Sequence, residues 1–177
     1  INPAVTDLLL HPLRRLPRLA LAGLALACVG LISPALRAEN EHAQLEPKTS
    51  EELTKIKDLA EAKNWDGAIG VLLALQPNVG PASYDNAVIS EIISKLYMQK
   101  SDYPKALVAM ETAVRLSDSY DYLELREVQE LVYYLALMYN QESISLKSIA
   151  LQQQYLNKAT DYAKRWLEHN DKTGQDP

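Results

Sequence analysis

The chain has 177 residues, of which 47% are hydrophobic and 23% charged, with a net charge of −5. That mixture excludes collagen-like, mucin-like and wholly disordered chains, and the acidic balance is not the basic footprint of a nucleic-acid binder. A single Cys excludes an intramolecular disulfide framework and a Cys-rich zinc site, and three scattered His and six Gly argue against histidine metal clusters and Gly-rich phosphate loops.

The charge is uneven. Residues 1–38 carry Arg14, Arg15, Arg18 and Arg37 against one acid, Asp7, which leaves 14 basic and 22 acidic residues for 39–177. Arg14-Arg15-Leu16-Pro17-Arg18 precedes an uncharged apolar run from Leu19 to Ile32, then Ser33 to Ala38, then the polar Glu39-Asn40-Glu41-His42. A basic start, an apolar middle and a small-residue exit form the order of a secretory signal peptide. Residues 1–38 are therefore expected to be an N-terminal extension and signal peptide, cleaved after Ala38 or Ala35, with periplasmic or otherwise exported localisation. The run is shorter than the 17 to 25 residues, roughly, of a spanning helix. The alternative is retention of residues 19–32 as an inner-membrane anchor, the only way the chain would touch a membrane. Cys28 reads as an apolar residue of the removed peptide.

Residues 39–50 are expected to be a linker, with Thr49 or Ser50 capping a helix that carries Leu53, Ile56, Leu59 and Ala60 at helical spacing. Asn64-Trp65-Asp66-Gly67 breaks the pattern, and Ala68 to Leu75 forms a second amphipathic run ended by Pro77 and Gly80-Pro81. The layout recurs: Ala87 to Gln99, a turn at Ser101-Asp102-Tyr103-Pro104, and a stripe from Ala106 to Leu116. Ser117 to Tyr122 reads as a polar connection, a further helix spans about Leu123 to Tyr139, and a last one carries Leu156, Ala159, Tyr162, Ala163, Trp166 and Leu167. No segment shows a period of two, so the expected class is all-α, with 171–177 a polar tail.

An internal repeat is visible. Trp65 and Tyr103 each stand three residues before an Ala, and both Leu59 to Tyr97 and Ala68 to Ala106 are offsets of 38. Two helices per unit with small residues at the crossing resemble the tetratricopeptide repeat, whose period is about 34. The second unit matches best: Ser94 three residues before Tyr97, Asp102-Tyr103 in the turn, Ala106 and Ala113 in the second helix. The first departs, with Leu75 where Ala is usual. In the third, Leu135, Ala136 and Tyr139 are well placed, but Ala159 comes 20 residues after Tyr139 rather than nine, which implies about 11 inserted residues around Asn140 to Gln152.

The resemblance covers roughly residues 50–170. It implies a short right-handed α-solenoid of about three hairpins over 51–170, with Trp65, Ala68, Ser94, Tyr97, Tyr103, Ala106, Ala113, Ala136, Tyr139, Ala159 and Trp166 as repeat packing residues. More narrowly, Leu75-Gln76-Pro77, the Lys100-Ser101-Asp102-Tyr103 turn and the Tyr162 to Glu168 helix resemble exported Gram-negative tetratricopeptide proteins encoded beside TonB–ExbB–ExbD genes. The repeat register implies a concave peptide groove at Val88, Glu91, Lys95 and Met98, then Glu130, Tyr133, Leu137 and Asn140, with Leu53, Lys57 and Ala60 in the first unit.

No catalytic constellation is apparent. His11, His42 and His169 have no motif partners, and Glu51-Glu52 and Glu124, Glu127, Glu130 read as helix ends and solvated faces rather than acid–base pairs. The expectation is a non-enzymatic interaction module without cofactor or metal. Its partner would be a protein or peptide of the cell envelope, and self-association is open. The competing readings are a membrane-anchored scaffold for envelope assembly and a small-ligand-binding or enzyme-accessory solenoid.

Overall fold

The computed structural model describes residues 44–173, with side chains up to Asn170. The proposed signal peptide, its cleavage sites, the apolar run 19–32, and residues 39–43 and 174–177 lie outside the described residues. Among the described residues the fold is all-helical, with six α-helices packed in neighbouring pairs. None of them is long and apolar enough to cross a membrane. The chain divides into two compact units, which among these residues are 44–122 and 123–173.

In the first unit, α1 (Pro47–Glu61) pairs with α2 (Trp65–Leu75), a single 3-10 turn follows at Gln76–Asn78, and α3 (Tyr84–Gln99) pairs with α4 (Tyr103–Tyr120). Helix α2 also packs on α3. The core is Leu72, Ile89, Met110 and Leu116, all fully buried, around Ala68, Ala87, Ala106 and Ala113 at 0% exposure. Alanine is what lets helix axes approach closely, because a larger side chain at the crossing would hold the backbones apart.

Two helix starts carry side-chain caps that the sequence reading did not name. Asn64 Oδ1 accepts from Gly67 N–H at 3.0 Å. A Cβ on Gly67 would come within 2.6 Å of the Asn64 side chain, so the cap needs glycine there. Ser83 Oγ likewise accepts from Asn86 N–H at 3.1 Å and starts α3. At α1 the expectation fails: the helix begins at Pro47, inside the expected linker, and neither Thr49 nor Ser50 is its cap. Thr49 is turned inward at 1% exposure, and its hydroxyl donates to Asp85 Oδ2 of α3 at 2.7 Å. The Glu46 N–H donates to both Asp85 oxygens at 3.2 Å, so a carboxylate on another helix serves the α1 N-terminus.

The connection expected at Ser117–Tyr122 is also mostly helix. Ser117 returns its hydroxyl to the Ala113 carbonyl at 2.9 Å, so no break is needed, and α4 runs to Tyr120 before Asp121 turns left-handed at φ 56°.

In the second unit, α5 (Leu125–Ser145) pairs with α6 (Ile149–Thr173). Glu127 starts α5, its Oε2 accepting from Glu124 N–H at 3.1 Å. The expected insertion around Asn140 to Gln152 is not a loop. It lengthens both helices, to 21 and 25 residues against 16 and 18 in α3 and α4, and leaves only Leu146 to Ser148 between them. The unit buries Leu131, Val132 and Leu135, with Ala159 and Ala163 at 0% on α6.

Candidate functional site

The turns of the first two hairpins repeat bond for bond. In the first, Ala62 N–H donates to the Asp58 carbonyl, Lys63 to Ala60, Asn64 to Leu59 and Ala68 to Asn64. In the second, Lys100 donates to Leu96, Ser101 to Met98, Asp102 to Tyr97 and Ala106 to Asp102. Every donor and acceptor is displaced by 38 residues. Lys63 and Ser101, also 38 apart, both take left-handed backbone, at φ 55° and 58°. Each helix therefore ends in the same six-to-one reversal before its partner starts. An aromatic residue opens each second helix, Trp65 in α2 and Tyr103 in α4, both half-buried. The third hairpin, with Leu146 in extended backbone, does not share this turn.

The repeat packing positions are mostly interior. Ala68, Ala106, Ala113, Ala159 and Ser94 are at 0%, Ala136 is at 2%, and Tyr97 and Tyr139 are buried. Ser94 satisfies its hydroxyl on the Glu91 carbonyl at 2.6 Å, which lets a polar side chain sit in the core. Lys105 Nζ lies 5.3 Å from the centre of the Tyr97 ring. Tyr139 is enclosed by α6: Tyr155 meets it edge-on at 5.0 Å, Tyr162 stacks at 6.0 Å, and Lys158 donates to its hydroxyl at 3.0 Å. Trp166, half-buried, lies 5.2 Å from the Tyr133 ring.

The groove positions divide by helix. On α3, Val88, Glu91 and Met98 are buried, and Lys95 is half-buried. The Glu91 carboxylate and the Lys95 ammonium form a 2.7 Å ion pair, with side-chain exposures of 6% and 19%. Val88, Glu91 and Met98 therefore do not present an open surface in the folded chain. In the first hairpin, Leu53 is buried, and Lys57 and Ala60 are half-buried. On α5, Asn140 is buried, Glu130 is exposed, and Tyr133 and Leu137 are half-buried. The Tyr133 ring is engaged by Trp166 and Tyr134, so Tyr133 is partly a packing residue. Glu130 is the exposed member of the set, and half-buried Tyr133 and Leu137 follow it along α5 at helical intervals.

Two polar clusters escaped the sequence reading. One is the Asp85–Thr49–Glu46 arrangement. In the other, Gln76 Nε2 donates to Asn86 Oδ1 at 3.0 Å and to Ser90 Oγ at 3.2 Å, while Asn86 Nδ2 donates to the Pro81 carbonyl at 2.9 Å. Its only sequence signal is Asn86 and Ser90, four residues apart on an otherwise apolar helix. Both clusters tie the start of α3 to earlier segments and are fully partnered within the fold. Gln129 Oε1 of α5 is enclosed without a hydrogen-bond partner.

Lys105 pairs with Asp102 within its own turn, whereas Lys100 of the second turn pairs with Asp66 beside the first. The Asp102 carboxyl is held below its ordinary 3.8, chiefly by the hydrogen bond from Lys105 at 2.7 Å. Hydrogen bonds to Glu52 and Glu51 raise the Lys55 ammonium, and the bond to Asp102 raises that of Lys105. Among the described residues, no three His, Cys, Asp or Glu side chains are grouped to hold a metal ion. Compared with family models, curated proteins and solved structures, the chain has no match.

Proposed function

We propose that this chain is a tetratricopeptide-type interaction module, a non-enzymatic scaffold of the cell envelope that binds a protein or peptide and serves a TonB-type energy-transduction complex. The observation that supports it is the 38-residue repetition of four backbone hydrogen bonds and one left-handed residue in the first two hairpin turns. Chain segments that fold into the same hairpin at a fixed interval are how repeat proteins build a solenoid, and such solenoids present a helix face to partners. In this reading the binding face is centred on Glu130, Tyr133 and Leu137 of α5, where a carboxylate orients and an aromatic and an aliphatic side chain supply contact. The Leu19–Ile32 run with its arginines delivers the chain across the inner membrane.

Site-specific photo-crosslinking in intact cells tests the partner. A photoreactive residue at Glu130 should yield an adduct containing TonB, ExbB or ExbD, and Leu137→Glu should abolish it. The same probe at the exposed Val108 of α4 should yield none. Adducts of equal strength from both positions, or none with those three proteins, would refute the assignment. Export is tested separately by a reporter fused after residue 45, which should be active only outside the cytoplasm.

A further inference from the structure

Among the described residues one aromatic side chain stands exposed. It is Tyr120, the last residue of α4, with 52% of its surface in solvent. Its ring is supported from within the same unit. It stacks on Tyr122, with centres 5.2 Å apart and planes inclined by 25°. Tyr122 is held in turn: its hydroxyl donates to the Ala82 carbonyl at 2.8 Å, and Tyr84 of α3 meets its ring edge-on at 5.9 Å. The start of α3 and the end of α4 thus bring three tyrosines into one aromatic cluster.

The charge beside these rings is negative. A helix C-terminus carries the negative end of the dipole and ordinarily draws a Lys, Arg or His into its last turn. The last turn of α4 has no base; Asp118 stands in it and Asp121 just after it. Residues 115–127 hold four acids, Asp118, Asp121, Glu124 and Glu127, against Arg115 and Arg126, a net of −2. On the α3 side, residues 76–84 carry no charge, Asp85 is buried on Thr49 and Glu46, and Glu46 and Lys48 cancel. The Asp121 carboxylate has no partner among the described residues, while its N–H closes α4 on the Ser117 carbonyl at 2.8 Å. Tyr97 and Tyr139 each have a lysine over the ring, Lys105 at 5.3 Å and Lys158 at 4.8 Å. Among the described residues no cation lies over Tyr120.

We infer that this end of the first unit binds an arginine side chain of a partner protein, laid against Tyr120 and paired with Asp121. An aromatic face attracts a cation through its quadrupole, and guanidinium is the cation that both stacks flat on a ring and forks onto a carboxylate. It also supplies the positive charge that the end of α4 lacks. Because Tyr122 and Tyr84 already hold the cluster together, little ordering is required when the cation arrives. A purely apolar partner fits worse, since it would strip water from the Asp121 carboxylate and return nothing to it. A second copy meeting this surface symmetrically would bring like acids together. The inference goes beyond the scaffold role and uses different residues from Glu130, Tyr133 and Leu137.

The test places fluorotyrosine at position 120 of the full chain and titrates in the peptide acetyl-Gly-Ser-Arg-Ser-Gly-amide at millimolar concentration. Two comparison peptides replace the arginine by lysine and by citrulline, which keeps the shape and removes the charge. The arginine peptide should shift the fluorine resonance saturably, the lysine peptide should bind more weakly, and the citrulline peptide should leave the resonance in place. Fluorotyrosine at position 133 should not respond. Tyr120→Leu, read through fluorotyrosine at position 122, should weaken binding about two- to fivefold, the effect of losing one exposed cation–π contact. Asp121→Asn, which leaves the tyrosines in place, should weaken it by a similar factor. No saturable shift, equal binding of the arginine peptide and either comparison peptide, equal shifts at 120 and 133, or unchanged affinity in Asp121→Asn overturns the inference. So does a shift that grows with protein concentration without peptide, which indicates a second copy. A shift produced by phosphatidylcholine vesicles and not by the arginine peptide also overturns it, and indicates a choline headgroup.

Discussion

Asp85→Ala should release the first helix. Three interactions end on that carboxylate: the buried Thr49 hydroxyl at 2.7 Å and the Glu46 N–H at 3.2 Å to each oxygen. Hydrogen bonds to a charged group contribute about 1.5–3 kcal/mol each when the donor would otherwise be left unpaired. Loss of a helix cap costs about 1 kcal/mol. Because the two bonds to Glu46 share one donor, the expected loss is about 2–4 kcal/mol. For a chain of this size that is about 4–16 °C in melting temperature if α1 unfolds with the rest. If α1 detaches alone, melting moves less, and hydrogen exchange over Pro47–Glu61 rises instead. Both are read by thermal unfolding with peptide-resolved exchange on the same variant. Thr49→Val supplies the second arm of a double-mutant cycle, and coupling of about 1 kcal/mol or more is expected. Unchanged melting together with unchanged exchange in α1, or strict additivity of the two substitutions, would refute the remote cap.

Other consequences follow from burial and charge. Ala106→Leu places three extra heavy atoms at a site with 0% exposure and should cost about 1–3 kcal/mol, while Ala150→Leu on the exposed first turn of α6 should melt like the parent. Tyr97→Ala should destabilise by about 3–5 kcal/mol. Tyr133→Ala should cost less because Tyr133 is half-buried where Tyr97 is buried, and should weaken the crosslink from Glu130; early melting of the Tyr133 variant alone would reverse the assignment. Asp102 titrates below its ordinary 3.8 because of Lys105, so the small stabilisation from that pair is present above the ordinary value and fades as pH falls through the lowered one. An NMR titration of Lys105→Ala should show the Asp102 midpoint rise, and no movement would remove the pair from the account.

Much of the local structure was legible because it depends on neighbours in sequence. Apolar spacing gives the helices, and Asn64 to Gly67 and Ser101 to Pro104 mark the breaks between them. The 38-residue offset seen in Leu59, Ala68, Tyr97 and Ala106 reappears as the same hydrogen bonds in both turns. These features follow from backbone geometry over a few residues, which a one-dimensional pattern records.

The accessibility of the groove positions was not legible in the same way. The repeat register that the resemblance implies puts Val88, Glu91 and Met98 on a groove surface, but that register does not say whether the side chains stay open, and they are buried. The role of Asp85 was hidden for a related reason. Read locally it is an acid in the first turn of α3, as the helix dipole favours, whereas in space it is the acceptor for Thr49, 36 residues earlier. The residues around Asn140 to Gln152 were legible as an insertion but not as helix, because a stretch of Ser, Gln and Leu can form either loop or helix. Packing settled it, with Tyr155 and Tyr162 closing on Tyr139 so that α5 and α6 extend together. The sequence alone determined where the middle of each helix lies and where the first two hairpins turn, since those choices rest on contacts between near neighbours. Only the tertiary structure decided which helix faces stay open, because burial is a property of the distant segments that come to lie against them.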